Sequence, residues 1–209
     1  MIIIGLLIGG TFGGMKLIEN MQVNRTAQDL KAFTSASVTF KDAYGRLPGD
    51  IANPAARIPN CTDAPCATGG NGNRIIGLQG LWTNPIAATD ENFTYYHHLE
   101  ASGLMSSGIK NTLDMNFGEG QPEAPIGGGY RVVHWNNRAL GPCPVRFPGH
   151  GFFLTGEATG DAPNGANARI IPCALIGALD RKIDDGRAVG GYVQSTCQTV
   201  FVCGADDYA

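Results

Sequence analysis

The chain has 209 residues, 30 of them glycine and 12 proline, only 16% charged, with a formal net charge of −3. That length suits one domain with or without an appendage, and the thin, slightly acidic charge excludes the clustered Lys and Arg of a nucleic-acid binder. A hydrophobic share of 43% excludes a disordered acidic chain, and so few charges leave part of the surface to be covered by lipid or by other chains.

Residues Met1 to Met15 carry no charge, yet a run of about 20 apolar residues is needed for a self-sufficient membrane span. No basic residue precedes the run and no A-x-A site follows it, so it does not read as a secretory signal peptide. Beyond it Val23, Ala27, Leu30, Phe33, Ser37, Phe40, Tyr44 and Leu47 recur at steps of 4, 3, 3, 4, 3, 4 and 3. This is one helical stripe. Asn20, Asn24, Arg25, Asp29, Lys31, Lys41 and Asp42 fall mostly off it, and Leu47-Pro48-Gly49-Asp50 reads as a helix stop. A helix to about Arg46 would be roughly 69 Å long, against a radius of gyration of about 17 Å for a globule of this size. Its apolar end must therefore project, into a bilayer or against other copies. The predicted division is residues 1–21, an apolar membrane or filament half, and 22–209, a globular domain whose amphipathic helix occupies 22–47. The assembly residues are Ile2, Ile3, Ile4, Gly5, Leu6, Leu7, Gly9 and Gly13, the glycines being spaced by four as in close-packed apolar helices.

After Pro48 the chain is loop-rich. Asn60 to Arg74 is a polar Gly/Asn loop. A helix is predicted from Thr89 or Asp90, carrying Phe93, Tyr96, Leu99 and Leu104, with one of His97 and His98 packed beneath it and the other solvated. Gly129–Asn136 and Gly149–Gly156 read as strands, Ile171–Ile183 as a helix, and Tyr192–Val202 as a final strand. The expected class is α+β, a long N-terminal hydrophobic helix packed on a small antiparallel sheet, stapled by disulfides.

The six cysteines, Cys61, Cys66, Cys143, Cys173, Cys197 and Cys203, include no C-x-x-C pair, and their use in disulfides points to an oxidising compartment. Short loops suggest Cys61–Cys66 and Cys197–Cys203, which leaves Cys143–Cys173. No G-x-S-x-G, H-E-x-x-H or phosphate-loop motif is present, and no enzyme activity is expected. Asp180, Asp184 and Asp185 sit at the unfavourable end of a helix dipole. They read by default as a solvated turn reversed by Gly186, and as an alternative ligand set for a hard cation such as Ca²⁺; no other cofactor is expected.

Four stretches, Ile2–Gly10 (IIIGLLIGG), Phe40–Ile51 (FKDAYGRLPGDI), Glu91–Gly108 (ENFTYYHHLEASGLMSSG) and Asp180–Val193 (DRKIDDGRAVGGYV), resemble bacterial type IV pilins and the pseudopilins of type II secretion. They occur in the family's order over most of the chain. The resemblance implies a structural subunit, major or minor, of a pilus or pseudopilus. Such a subunit resides in the inner membrane facing the periplasm and then enters a cell-surface or periplasmic filament. Its partners would be copies of itself or related pilins, packed helix to helix, together with the assembly machinery; some pseudopilins bind calcium. The family's leader, methylated N-terminal residue and early Glu have no counterpart here, and Met1 corresponds to about the tenth residue of a mature member. The competing reading is a tethered or secreted extracytoplasmic binding domain that does not polymerise, but an ordinary anchor needs no stripe continuing for another thirty residues. Mass spectrometry of a non-reduced digest is expected to return the Cys61–Cys66 and Cys197–Cys203 loops as intramolecular disulfides; free thiols throughout would remove the case for an oxidising compartment.

Overall fold

A computed structural model describes residues 2–77, 87–136, 148–159, 171–187, 191 and 193, with side chains in the first helix from residue 13 and in the two strands over 129–134 and 149–155. The order is α1 (Ile2–Tyr44), a 3₁₀ turn (Pro54–Ala56), α2 (Glu91–Ala101), β1 (Gly129–Asn136), β2 (Pro148–Thr155) and α3 (Cys173–Ile183). The class is α+β, with a long N-terminal helix and, among the described residues, one two-stranded antiparallel sheet whose register sets Gly129 against Thr155 and His134 against His150. The expected strand over Tyr192–Val202 lies outside the described residues, Val193 apart.

At 43 residues, α1 is about 65 Å long. It ends two residues before the expected Arg46, where Gly45 turns left-handed at φ 69° and its N–H closes on Lys41 O at 2.8 Å. Along its C-terminal half the stripe is buried at Val23, Ala27, Phe33 and Phe40 and partly buried at Leu30, Tyr44 and the following Leu47. The off-stripe Asn24, Arg25, Lys31, Lys41 and Asp42 are exposed. Hydroxyls that would compete with the helix are turned inward onto it: Thr34 donates to Leu30 O and Thr39 to Ser35 O, at 2.8 and 3.0 Å.

The seam is shared among α2, α3 and the sheet rather than formed by the sheet alone. Phe33 is its hub, lying edge-on to Tyr96 of α2 and Tyr130 of β1 at 5.5 and 4.9 Å and beside Phe152 of β2 at 5.5 Å. Tyr130 Oη donates to Asp29 Oδ2 at 3.0 Å, fastening β1 to α1 by a polar bond at the edge of this cluster. Ser37 meets the Tyr95 hydroxyl of α2 through a hydrogen bond. α3 starts at Cys173, two residues later than expected, because Pro172 holds an extended ψ of 137° at the cap and disfavours helical geometry in the residue before it.

Toward the N-terminus burial stops at Val23. Residues 13–21 are all exposed, including Met15, Leu17, Ile18 and Met21 at 54–63%. Cβ atoms built on Gly13 and Gly14 would meet nothing within 4 Å. Among the described residues no helix is long and apolar enough to cross a membrane.

This distribution yields a test by truncation. Removing residues 1–21 takes no side chain from the described core and is expected to leave a soluble, monomeric, disulfide-bonded domain with its circular dichroism spectrum unchanged. Removing residues 1–40 strips out Phe33 and Phe40, each contributing roughly 1.5–3 kcal/mol by buried area against a total stability of about 5–15 kcal/mol. That product should unfold or aggregate on size-exclusion chromatography; a folded one would mean that the seam is not essential.

Candidate functional site

The residues expected to carry function fall in three places. The first is the exposed end of α1 just described, which contains Gly13; the side chains of Ile2, Ile3, Ile4, Leu6 and Leu7 and their neighbours Gly5 and Gly9 belong to the part of the helix described by backbone alone. The second is the histidine pair of α2 with the disulfide loop. The third is the aspartate turn after α3.

Both histidines of the pair are buried, so the expectation of one solvated ring is overturned: His97 is 3% exposed and His98 0%. α2 is short, and chain covers it on every side, leaving Glu91, Phe93, Thr94, Tyr95, Tyr96 and Leu99 buried as well. His98 accepts the Gly49 N–H on Nδ1 at 2.8 Å, which fixes the tautomer, and its Nε2–H donates to Cys66 O at 2.9 Å. The ring lies parallel to that of Phe40, 9° between planes with centroids 6.4 Å apart. It therefore joins the turn that leaves α1 to the loop closed by the Cys61–Cys66 disulfide. That disulfide is formed, with Cα atoms 5.2 Å apart. Burial pushes the His98 pKa down to about 4.

Cys61, Cys66 and His98 cluster closely enough to suggest a metal centre. Their chemistry does not fit one: the two sulfurs are bonded to each other, so neither is a thiolate, and both His98 nitrogens are engaged. Gly49, at φ 83°, is required where it stands, since a Cβ there would lie 2.3 Å from Glu91 O.

Next to this junction two buried carboxylates hold the Gly/Asn loop. Glu91 accepts from Asn71 N on one oxygen and Gly77 N on the other, at 2.8 and 2.9 Å, and Asp50 accepts from Arg74 N at 2.7 Å. Burial raises the Glu91 pKa, and the two backbone N–H bonds partly offset it. His150 reaches the same loop by accepting Ile76 N on Nε2 at 3.1 Å, and its ring stands edge-on to His134 across the sheet at 4.8 Å. These positions organise a loop rather than a reaction. Asp50 reads in the sequence only as part of a helix stop; the one signal of its role is a carboxylate set directly before the apolar Ile51.

At the third place the expected solvated turn is corrected. Gly186 does reverse the chain, at φ 75°, but Asp180 is 0% exposed, while Asp184 is half-buried and Asp185 exposed. Burial raises the Asp180 pKa, and the neighbouring Asp184 and Asp185 charges push it the same way.

Of the other expected disulfides, Cys173 is disulfide-bonded, whereas Cys143, Cys197 and Cys203 lie outside the described residues. No family model, curated protein or solved structure matches the chain.

The His98 junction sets a pH dependence. An unfolded histidine takes up its proton near pH 6.5, whereas folded His98 resists until about pH 4. Its contribution is complete above pH 6.5 and declines as pH falls through that window, by up to about 1.4 kcal/mol per pH unit. Urea unfolding should show this loss between pH 7 and 4.5, with a shallower decline in His98→Ala. At pH 7 that variant should lose about 2–6 kcal/mol, since it leaves two buried backbone groups unpaired. Equal pH profiles in the two proteins would mean that His98 does not govern the effect.

Proposed function

We propose that the protein is a structural subunit, major or minor, of a type IV pilus or type II secretion pseudopilus, built into its filament through the N-terminal half of α1. The observation that carries this reading is the unequal use of one helix. Its C-terminal half is packed into the domain, while Met15, at the end of the uncharged run from Met1, and Leu17, Ile18 and Met21, which follow it around Lys16 and Glu19, are exposed. A contiguous exposed apolar surface of this kind is an association surface. Glycines at four-residue spacing allow neighbouring helices to approach closely in an apolar medium.

On this reading the partners are further copies of the chain or related pilins, and the assembly machinery that handles them. The subunit waits in the inner membrane with its domain in the periplasm, where disulfides persist, before it enters the filament. The four stretches of family resemblance support the same assignment. The role is structural, with no catalysis.

The test is Leu7→Asp. A carboxylate in an apolar helical segment costs about 2.5–3.5 kcal/mol on insertion scales, close to a hundredfold in partition. The variant should disappear from the membrane and sheared-filament fractions while its domain keeps the wild-type circular dichroism spectrum. Normal membrane entry and normal filaments by electron microscopy would refute the reading.

A further inference from the structure

The Gly/Asn loop is tied down by side chains that titrate. The N–H of Asn71 goes to Glu91, that of Arg74 to Asp50, that of Ile76 to His150 and that of Gly77 to Glu91. His150 is the member that acid reverses. Its Nε2 accepts the Ile76 N–H at 3.1 Å, and a ring nitrogen accepts only while it carries no proton. Once protonated, the same atom turns an N–H against an N–H. A carboxyl group differs, since it keeps acceptor capacity after taking up a proton.

The surroundings of the ring disfavour its charge. β1 sets His134 directly opposite, with ring centroids 4.8 Å apart, and two imidazolium ions at that spacing repel each other. The buried Nδ1 of His134 has no hydrogen-bond partner among the described residues. Partial burial and then the His134 charge lower the His150 pKa; Asp50, past the exit of α1, pulls the other way, and Lys41 of α1 reinforces the lowering. Asp50 Oδ2 is already engaged by Arg74 N, as are both Glu91 oxygens by Asn71 and Gly77. Burial lowers the His134 pKa as well. His150 is nevertheless exposed to solvent, so a proton reaches it without prior unfolding.

The segment held in this way is set against its own preference. Arg74 is left-handed at φ 69°, a region that residues with a side chain rarely adopt. Ile76, two residues on, is 1% exposed. Release would relax the first and uncover the second.

We infer that His150, with His134 beside it, is an acid-operated latch: neutral, it fastens residues 74–77 to the sheet, and protonated, it lets them go. Opening returns the histidines to an ordinary pKa of about 6.5, so closure is fully supported above that pH and weakens as pH falls below it. Glu91 acts in the opposite sense. Its pKa is raised by burial, so the closed loop takes up that proton first and is favoured by it. The latch lies within the domain and is independent of the filament reading.

Amide hydrogen exchange on the full-length chain in detergent, corrected for its intrinsic pH dependence, tests the latch. The Ile76 N–H should exchange faster than the Phe33 N–H of α1 at every pH, as a local opening does. Its protection should fall about three- to tenfold between pH 7.5 and 5.5, tenfold being the ceiling for one histidine over that range. His150→Gln keeps an acceptor that does not titrate and should flatten the fall. If that variant fails to fold, the imidazole titration of His150 in the wild type, followed by NMR, decides; it should lie below about pH 6. Ile76 and Phe33 exchanging together at every pH would overturn the latch. So would an unchanged fall in folded His150→Gln, or a His150 titration at its ordinary pH or above.

Discussion

The fold depends on a neutral, buried imidazole. His98 links Gly49, just past the exit of α1, to Cys66 in the disulfide loop, and it does so from the middle of the most deeply covered helix. Each of its two ring nitrogens satisfies a backbone group in a place where an unmet group costs about 1–3 kcal/mol. The ring's depressed basicity follows from the same burial. Three separate segments are thereby held in register by one side chain that must stay uncharged.

The neighbouring carboxylates extend this logic. A loop rich in Gly and Asn has little apolar surface with which to hold itself in place. Glu91 and Asp50 replace the missing hydrophobic contacts with three N–H bonds from Asn71, Gly77 and Arg74. Glu91 stands in the first turn of α2, where the helix dipole favours a negative charge. Gly49 and Gly70 complete the fit, since a Cβ on either would strike backbone at 2.3 or 2.2 Å. The polar loop is therefore as firmly placed as the aromatic seam, although by different forces.

What the sequence made legible follows from this division. Periodicity placed α1, α2, both strands and α3 to within a few residues, because each contributes apolar side chains to one shared core. The boundary errors have local causes: Gly45 ended α1 before Arg46, and Pro172 delayed α3. Burial of both His97 and His98 was not legible. Helical spacing identifies an apolar face, but it cannot show that a disulfide loop 32 residues earlier in the chain will cover the opposite, polar one. The same limit hid Asp50 and the interior position of Asp180, each a charged residue whose surroundings come from distant segments. Disulfide spacing was informative at Cys61 and Cys66, where a sequence separation of 5 leaves few other partners.

The long helix grips its domain along one side only, and this gives the joint a mechanical direction. A pull along the helix axis loads Val23, Ala27, Phe33 and Phe40 in parallel, so these contacts have to slide past their partners together. A force across the axis at the free end acts through a lever arm of several turns and opens the seam from Val23 inward, one contact after another. The joint is accordingly strong in shear and weak in peeling. Phe33, with three aromatic neighbours on three different elements, is the point at which an advancing peel would be arrested.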